Sequence, residues 1–347
     1  MTNKTIQDSA NTIQIGGATI NGAGVNSGQF LKYNGSNWVP GNAAASLFGG
    51  TGADGALAIT SGTTTIDCAN AAFVVKNYTS ISITATGKLA FINPNANGTT
   101  VILKFQGNIT LTSSTAPMID MSGMGASGGG AVTVNTNSAS AGNGGNSGLG
   151  ILFSTGAGKG GLATNTTQTA TTLASTYNNL SYFTRYLQFA PGAGGGSGAA
   201  QNDGGGTSVS GIGGLGGGVL VIECAGAWNF TTASGISVAG KAGGNGTKSG
   251  SPTNYMAAPA SGGGGGVFLG LYNSLTANSG TVTVSGGAAG SGVSGGGTSG
   301  ANTGATGGGS ILGAASNTSG VATGSGLASA TAGANGLSII QQNVENG

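Results

Sequence analysis

Histidine is absent from the 347 residues. That excludes imidazole-based nucleophilic catalysis, His-ligated zinc and a histidine pH switch. Charge is scarce: seven Asp and Glu with nine Lys and Arg make 5% of the chain, against ~25% in an ordinary soluble domain. A net charge of +2 with a single arginine, Arg185, and scattered lysines offers no clustered basic face, so nucleic acid is not an expected partner. Six prolines exclude collagen, which needs Gly at every third position and far more proline. No apolar run reaches the ~18 residues of a membrane span. No basic segment followed by an apolar core occupies Met1 to Phe30, so neither membrane insertion nor a secretory signal is expected.

What is present is glycine, 76 residues of it, set among Thr, Ser, Asn and Val. Helical periodicity is nearly missing, and short apolar alternations recur instead. The expected fold is therefore all-β with almost no helix: short strands in a β-solenoid or sandwich, with ordered glycine-rich tracts.

Three regions follow from composition. Residues 1–50 form a first, N-terminal region, where Asn34-Gly35 between Phe30–Tyr33 and Trp38–Val39 predicts a hairpin. Residues 51–122 are rich in strand patterns, such as Ala56–Ile59, Ser80–Thr84, Lys88–Phe91 and Val101–Phe105. Residues 123–347 alternate glycine tracts with apolar strands anchored at Ile151, Val219, Val267 and Ile311, with Val101 an earlier relative, and Leu337–Ile340 closes the array. Repeats of this kind stack to bury their apolar faces. In Gly211–Gly218 the apolar residues fall three apart, the period of a polyproline-II-type helix. Glycine chains in that conformation can hydrogen-bond laterally as a polyglycine-II bundle.

Catalytic motifs are weak. Gly156–Gly161 fits a dinucleotide fingerprint and Gly125–Gly129 a nucleophile elbow, but at this glycine content both are chance matches, and no base exists for the second. A carboxylate pair for polysaccharide cleavage, drawn from Asp120, Asp203 and Glu223, is a minor alternative. No enzyme, cofactor or metal is expected. Cys68 and Cys224 sit in apolar runs and read as packed free thiols or as a disulfide.

Aromatics concentrate in Tyr177, Tyr182, Phe183, Arg185, Tyr186 and Phe189, and a second excursion carries Tyr255 and Met256, expected to be exposed. Aromatics and arginine are enriched at binding hot spots, and contact residues gather on loops of rigid scaffolds. These eight residues are the receptor-contact candidates; a packed insertion is the alternative for the first group.

The segment Gly28-Gln29-Phe30-Leu31-Lys32-Tyr33-Asn34-Gly35-Ser36-Asn37-Trp38-Val39-Pro40 resembles an element common in bacteriophage tail fibres, and the glycine tracts are similar to the distal adhesins of T-even-like phages. The resemblance implies a polyglycine-II sandwich with receptor-binding loops, a homotrimeric fibre, and Phe30, Leu31, Tyr33 and Trp38 as assembly residues. It implies a virion fibre or tail-tip protein, made in the host cytoplasm. Its partners would be itself, other virion proteins and a host cell-surface glycan or outer-membrane protein. A self-assembling surface filament, located outside the cell, is the alternative, with an ice-binding protein a lesser one.

Overall fold

The computed structural model describes residues 14–15, 18–19, 30–33, 36–41, 48–135, 160, 162–164, 190–202, 205–231, 235–296, 301–303, 305–310, 321–323, 327 and 329–343. Among them every regular element is a strand, so the chain is all-β. No helix there is long and apolar enough to cross a membrane.

The chain divides into Met1–Leu47 and Phe48–Gly347. In the first unit Gln14–Ile15 pairs antiparallel with Ala18–Thr19. The expected hairpin is formed: Phe30–Tyr33 pairs antiparallel with Trp38–Gly41, placing Tyr33 opposite Trp38 and Phe30 opposite Gly41. The expected boundary at 122 is a change of composition inside one compact unit, since Thr100–Phe105 and Ile119–Asp120 pair directly with strands beyond it.

Most pairing in the second unit is parallel. Three ladders of successive strands run through it, and the chain visits them in the same order on each of its passes. One ladder contains Phe73–Tyr78, Thr100–Phe105, the first half of Val219–Phe230, the first half of Val267–Asn278, and Leu337–Gln342. A second contains Ala56–Ile59, Ser80–Ile83, Ile109–Leu111 and the second halves of the two long strands. The third contains Thr63–Asp67, Lys88–Ile92, Ile119–Asp120, Ile236–Ser237 and Val282–Thr283. In the first ladder Thr100 aligns with Val219, Val267 and Leu337. The anchor expected at Val101 is therefore displaced by one residue; Ile151 and Ile311 lie outside the described residues.

Alternation in these strands aims one set of side chains inward. In Ser80–Ile83 the serines are half-buried and Ile81 and Ile83 are buried. Ile83, Leu89, Leu103, Phe105, Ile109, Trp228 and Phe230 are all fully enclosed in one continuous core. Each such side chain contributes roughly 1.5–3 kcal/mol by leaving water. Val219–Phe230 is apolar on both faces, and Val219, Val221, Val267 and Leu269 form a second cluster on the far side of the sheet. Strands covered on both sides read as continuous apolar runs.

The glycine-rich excursions leave the third ladder and return to the first. Segment 258–266 lies hydrogen-bonded among six others. The amides of Ala258, Ser261 and Gly264 donate to the carbonyls of Ala199, Gly196 and Ala193. Those of Ala260, Gly263 and Gly266 donate to Gly244, Lys241 and Val238, and those of Gly262 and Gly265 to Thr331 and Ala334. Carbonyls 258, 261 and 264 accept from Gly211, Gly214 and Gly217; 260 and 263 accept from Gly290 and Gly287; 262 accepts from Gly308. These bonds are 2.8–3.2 Å long and repeat every third residue. Such closeness leaves no space for side chains: a methyl on Gly264 would overlap the carbonyl oxygen of Gly309.

Candidate functional site

At the ends of the glycine segments remote from the ladders, short antiparallel sheets close the loops. One joins Thr133–Val134, Gly206–Val209 and Thr247–Gly250. Another joins Ala200–Asn202, Tyr255–Ala257 and Val293–Gly295, and these two are neighbours. A third joins Leu162–Thr164, Ala301–Thr303 and Val321–Thr323. Turns here use glycine at positive φ, as at Gly250 (+75°), because the chain must reverse within two or three residues.

The Tyr255 ring is a pillar of this end. Gly295 lies close enough that an added methyl would meet the ring, and the Lys248 ammonium sits 4.4 Å from its centroid. A cation over an aromatic face contributes ~0.5–1 kcal/mol at an exposed site. Met256 is buried at 1% exposure beside Ala199, which corrects the expectation that it is exposed. The reason is parity: successive residues of Tyr255–Ala257 face opposite sides of the sheet, and Met256 takes the inner one. Thr247–Gly250 is exposed along its whole length, with Lys248 at its centre. The Thr207 hydroxyl donates to Asn135 Oδ1 at 3.0 Å. No carboxylate occurs among the described residues of these two neighbouring sheets.

Tyr177, Tyr182, Phe183, Arg185, Tyr186 and Phe189 lie outside the described residues. Phe30, Leu31, Tyr33 and Trp38 fall on the N-terminal hairpin, three on one strand and Trp38 on the other. Sequence reasoning overlooked Lys248; the available signal was a lone charge in Gly246-Thr247-Lys248-Ser249-Gly250, between two glycine tracts.

Of the candidate carboxylates, the two that are described, Asp120 and Glu223, lie in different ladders. Glu223 in the first ladder is bound by Lys104 at 2.9 Å, one strand away in register. Asp120 in the third ladder is bound by Lys88, also at 2.9 Å. Burial pushes the Asp120 carboxyl up, but the Lys88 ammonium and the Ser122 hydroxyl and amide outweigh it and hold the group below its ordinary 3.8. Asp203 lies outside the described residues. Among the described residues no group of three His, Cys, Asp or Glu could hold a metal ion.

Cys68 and Cys224 are free and buried in the same core. Burial, assisted by the Asp67 charge, pushes the Cys68 thiol up to about 11. Burial likewise raises Cys224. Neither is an activated nucleophile, since the thiolate is the reactive form.

Comparison with protein-family models, with curated proteins and with solved structures finds no match.

Proposed function

We propose that the chain is a non-catalytic attachment protein of a phage particle. In this reading the ladders are a β-solenoid base, the glycine segments are a polyglycine-II-type bundle, and the loop sheets meet the host surface. The observation that carries it is the layout of segment 258–266 and its six neighbours. Their backbone, period-three bonding makes a stiff glycine-rich spacer, while Lys248 and Tyr255 stand on the loop strands where two of the segments turn. The likeness of residues 28–40 to a tail-fibre element supports placement on a virion, with the N-terminal hairpin joining copies of the chain or another virion protein.

The contact residues are Tyr177, Tyr182, Phe183, Arg185, Tyr186 and Phe189, with Tyr255 and its neighbour Lys248. The partner is a host glycan or outer-membrane protein. The Lys248 ammonium, exposed over the Tyr255 face, favours a partner carrying acidic groups.

Immunogold electron microscopy of the producing culture, with antibody to residues 123–347, is the test. Label on fibres or tail tips supports the reading. Label along cell-surface filaments, with none on particles, replaces it with a structural subunit. On particles, Lys248→Ala is expected to slow adsorption and Tyr182→Ala with Tyr186→Ala to abolish it; unchanged adsorption removes these residues from the contact surface.

A further inference from the structure

At the end of the stack nearest the N-terminus, three strands have an edge with no strand partner among the described residues: Ala56–Ile59, Thr63–Asp67 and Phe73–Tyr78. The first two expose Ala56, Ala58, Thr63, Thr65 and Asp67, all small or polar. The third exposes Phe73 at 59% and Val75 at 48%. At the opposite edge of the same ladder, Leu337–Gln342 exposes Ser338, Gln341 and Gln342. At this end of the stack the exposed apolar side chains are thus confined to one strand.

Its hydrogen bonding defines a narrow window. Thr100 donates to the Ala72 carbonyl and Gln106 to that of Tyr78, so even-numbered residues of this strand serve the neighbour within the ladder. Odd-numbered residues face outward. Asn77 is already occupied: its amide donates to Asp54 Oδ2 at 2.6 Å, and its carbonyl accepts from the Asp54 amide at 2.7 Å. The next residue along, Lys76, is held by the same carboxylate at 3.8 Å. Phe73 and Val75 therefore keep their amides and carbonyls without a partner among the described residues, and those two also carry the exposed apolar side chains.

We infer that Phe73–Val75 is a two-fold contact between two copies of this chain. The window is self-complementary. Antiparallel pairing centred on Val74 sets Phe73 opposite Val75 of the second copy and Val75 opposite its Phe73. Both are hydrogen-bonded positions that exchange N–H and C=O. All eight free backbone groups are then satisfied, and two aromatic-to-β-branched pairs form on one face. The regular strand begins at Phe73, after a bend at Ala72, so the second copy's paired stretch stops opposite Val75, short of the stretch occupied by Asp54. A longer foreign strand would collide there, which favours a copy of this chain over an extended peptide. The window carries no free charge, the usual device that keeps apolar edges apart. A two-fold contact of this kind is isologous and closes on itself. It implies pairs of the chain, where the tail-fibre likeness of residues 28–40 implies threes.

Light scattering on the full chain tests the number of copies: twice the 32.5 kDa chain mass is expected, halved by Phe73→Lys with an unchanged thermal transition. Oxidation of a mixture of Phe73→Cys and Val75→Cys chains tests the register. A crosslinked dimer is expected from the mixture and not from either chain alone, because each new thiol faces the other position. The native cysteines are buried and leave this readout clear. A single-copy mass for the native chain, a three-copy mass unaffected by Phe73→Lys, or no crosslink in the mixture overturns the inference.

Discussion

The ladders and the glycine segments solve the same problem, exclusion of water, with opposite materials. Around Phe105 the interior is made of side chains: Tyr78 stacks on it with centroids 5.7 Å apart, and the backbone bonds run along the sheet. Around Gly264 the interior is made of backbone, and the absence of a side chain is what allows six neighbours to approach. Side-chain cores gain from apolar area and tolerate swaps of similar volume. A backbone core gains from satisfied amides and carbonyls, and it tolerates nothing larger than hydrogen where chains touch. Two adjoining regions of one unit should then respond to opposite kinds of mutation.

The largest expected effect is Phe105→Ala, a loss of about 3–5 kcal/mol in denaturant unfolding. The mirror experiment adds a methyl: Gly264→Ala forces it into the Gly309 carbonyl and is expected to cost about 1–3 kcal/mol. A silent Gly264→Ala would break the comparison, because it would mean that the segments are not packed by their backbones.

A smaller effect sharpens the comparison on the ladder side. Asp120 has a lower pKa folded than unfolded, so its contribution is present above pH 3.8 and lost as pH falls through the folded value. Asp120→Asn is expected to remove about 1 kcal/mol at neutral pH and to flatten the acid limb of the stability curve. No described carboxylate lies in the central segment 258–266 or in 211–218 and 238–246 beside it, so the same titration should leave amide protection in that segment unchanged. The smallest readout is chemical. With the Cys68 thiol raised to about 11 and Cys224 enclosed, both thiols should resist a disulfide reagent in the native protein and react once it is unfolded. Rapid labelling of the native state would show that the shared core opens.

The strands were legible because their signal is local. Alternation in Ser80-Ile81-Ser82-Ile83 and the Asn-Gly turn after Tyr33 are decided within a few residues, and both strand placement and hairpin pairing agree with the structure. Ladder order was not legible, because it is decided by partners far away: Lys104 meets Glu223 across 119 positions of chain. The displaced anchor at Val101 has the same origin, since Thr100 and Val101 both fit an apolar run and only pairing with Val219 selects between them. At the loop end, Tyr255 and Met256 were readable as an interruption of glycine. Which of the two points inward depends on strand parity, and parity is set by the partners Asn202 and Gln201. Lys248 was hidden for a different reason: its significance lies in the ring it covers, a property of the assembled end.

The three-residue spacing of bonds around segment 258–266 also sets a rule for insertions and deletions. A bonding pattern that recurs every third residue aims successive amides at different neighbours. Inserting one residue after Ser261 would redirect every later amide to the wrong neighbour, two would do the same in the other sense, and three would restore the pattern one turn further along. Length changes inside the segments are therefore admissible only in triplets, and in several segments together. Between Gly250 and Tyr255, where the chain lies outside both the lattice and the paired loop strands, the frame is relaxed. The backbone thus carries a reading frame, strict within the glycine segments, where each added residue changes every later partner.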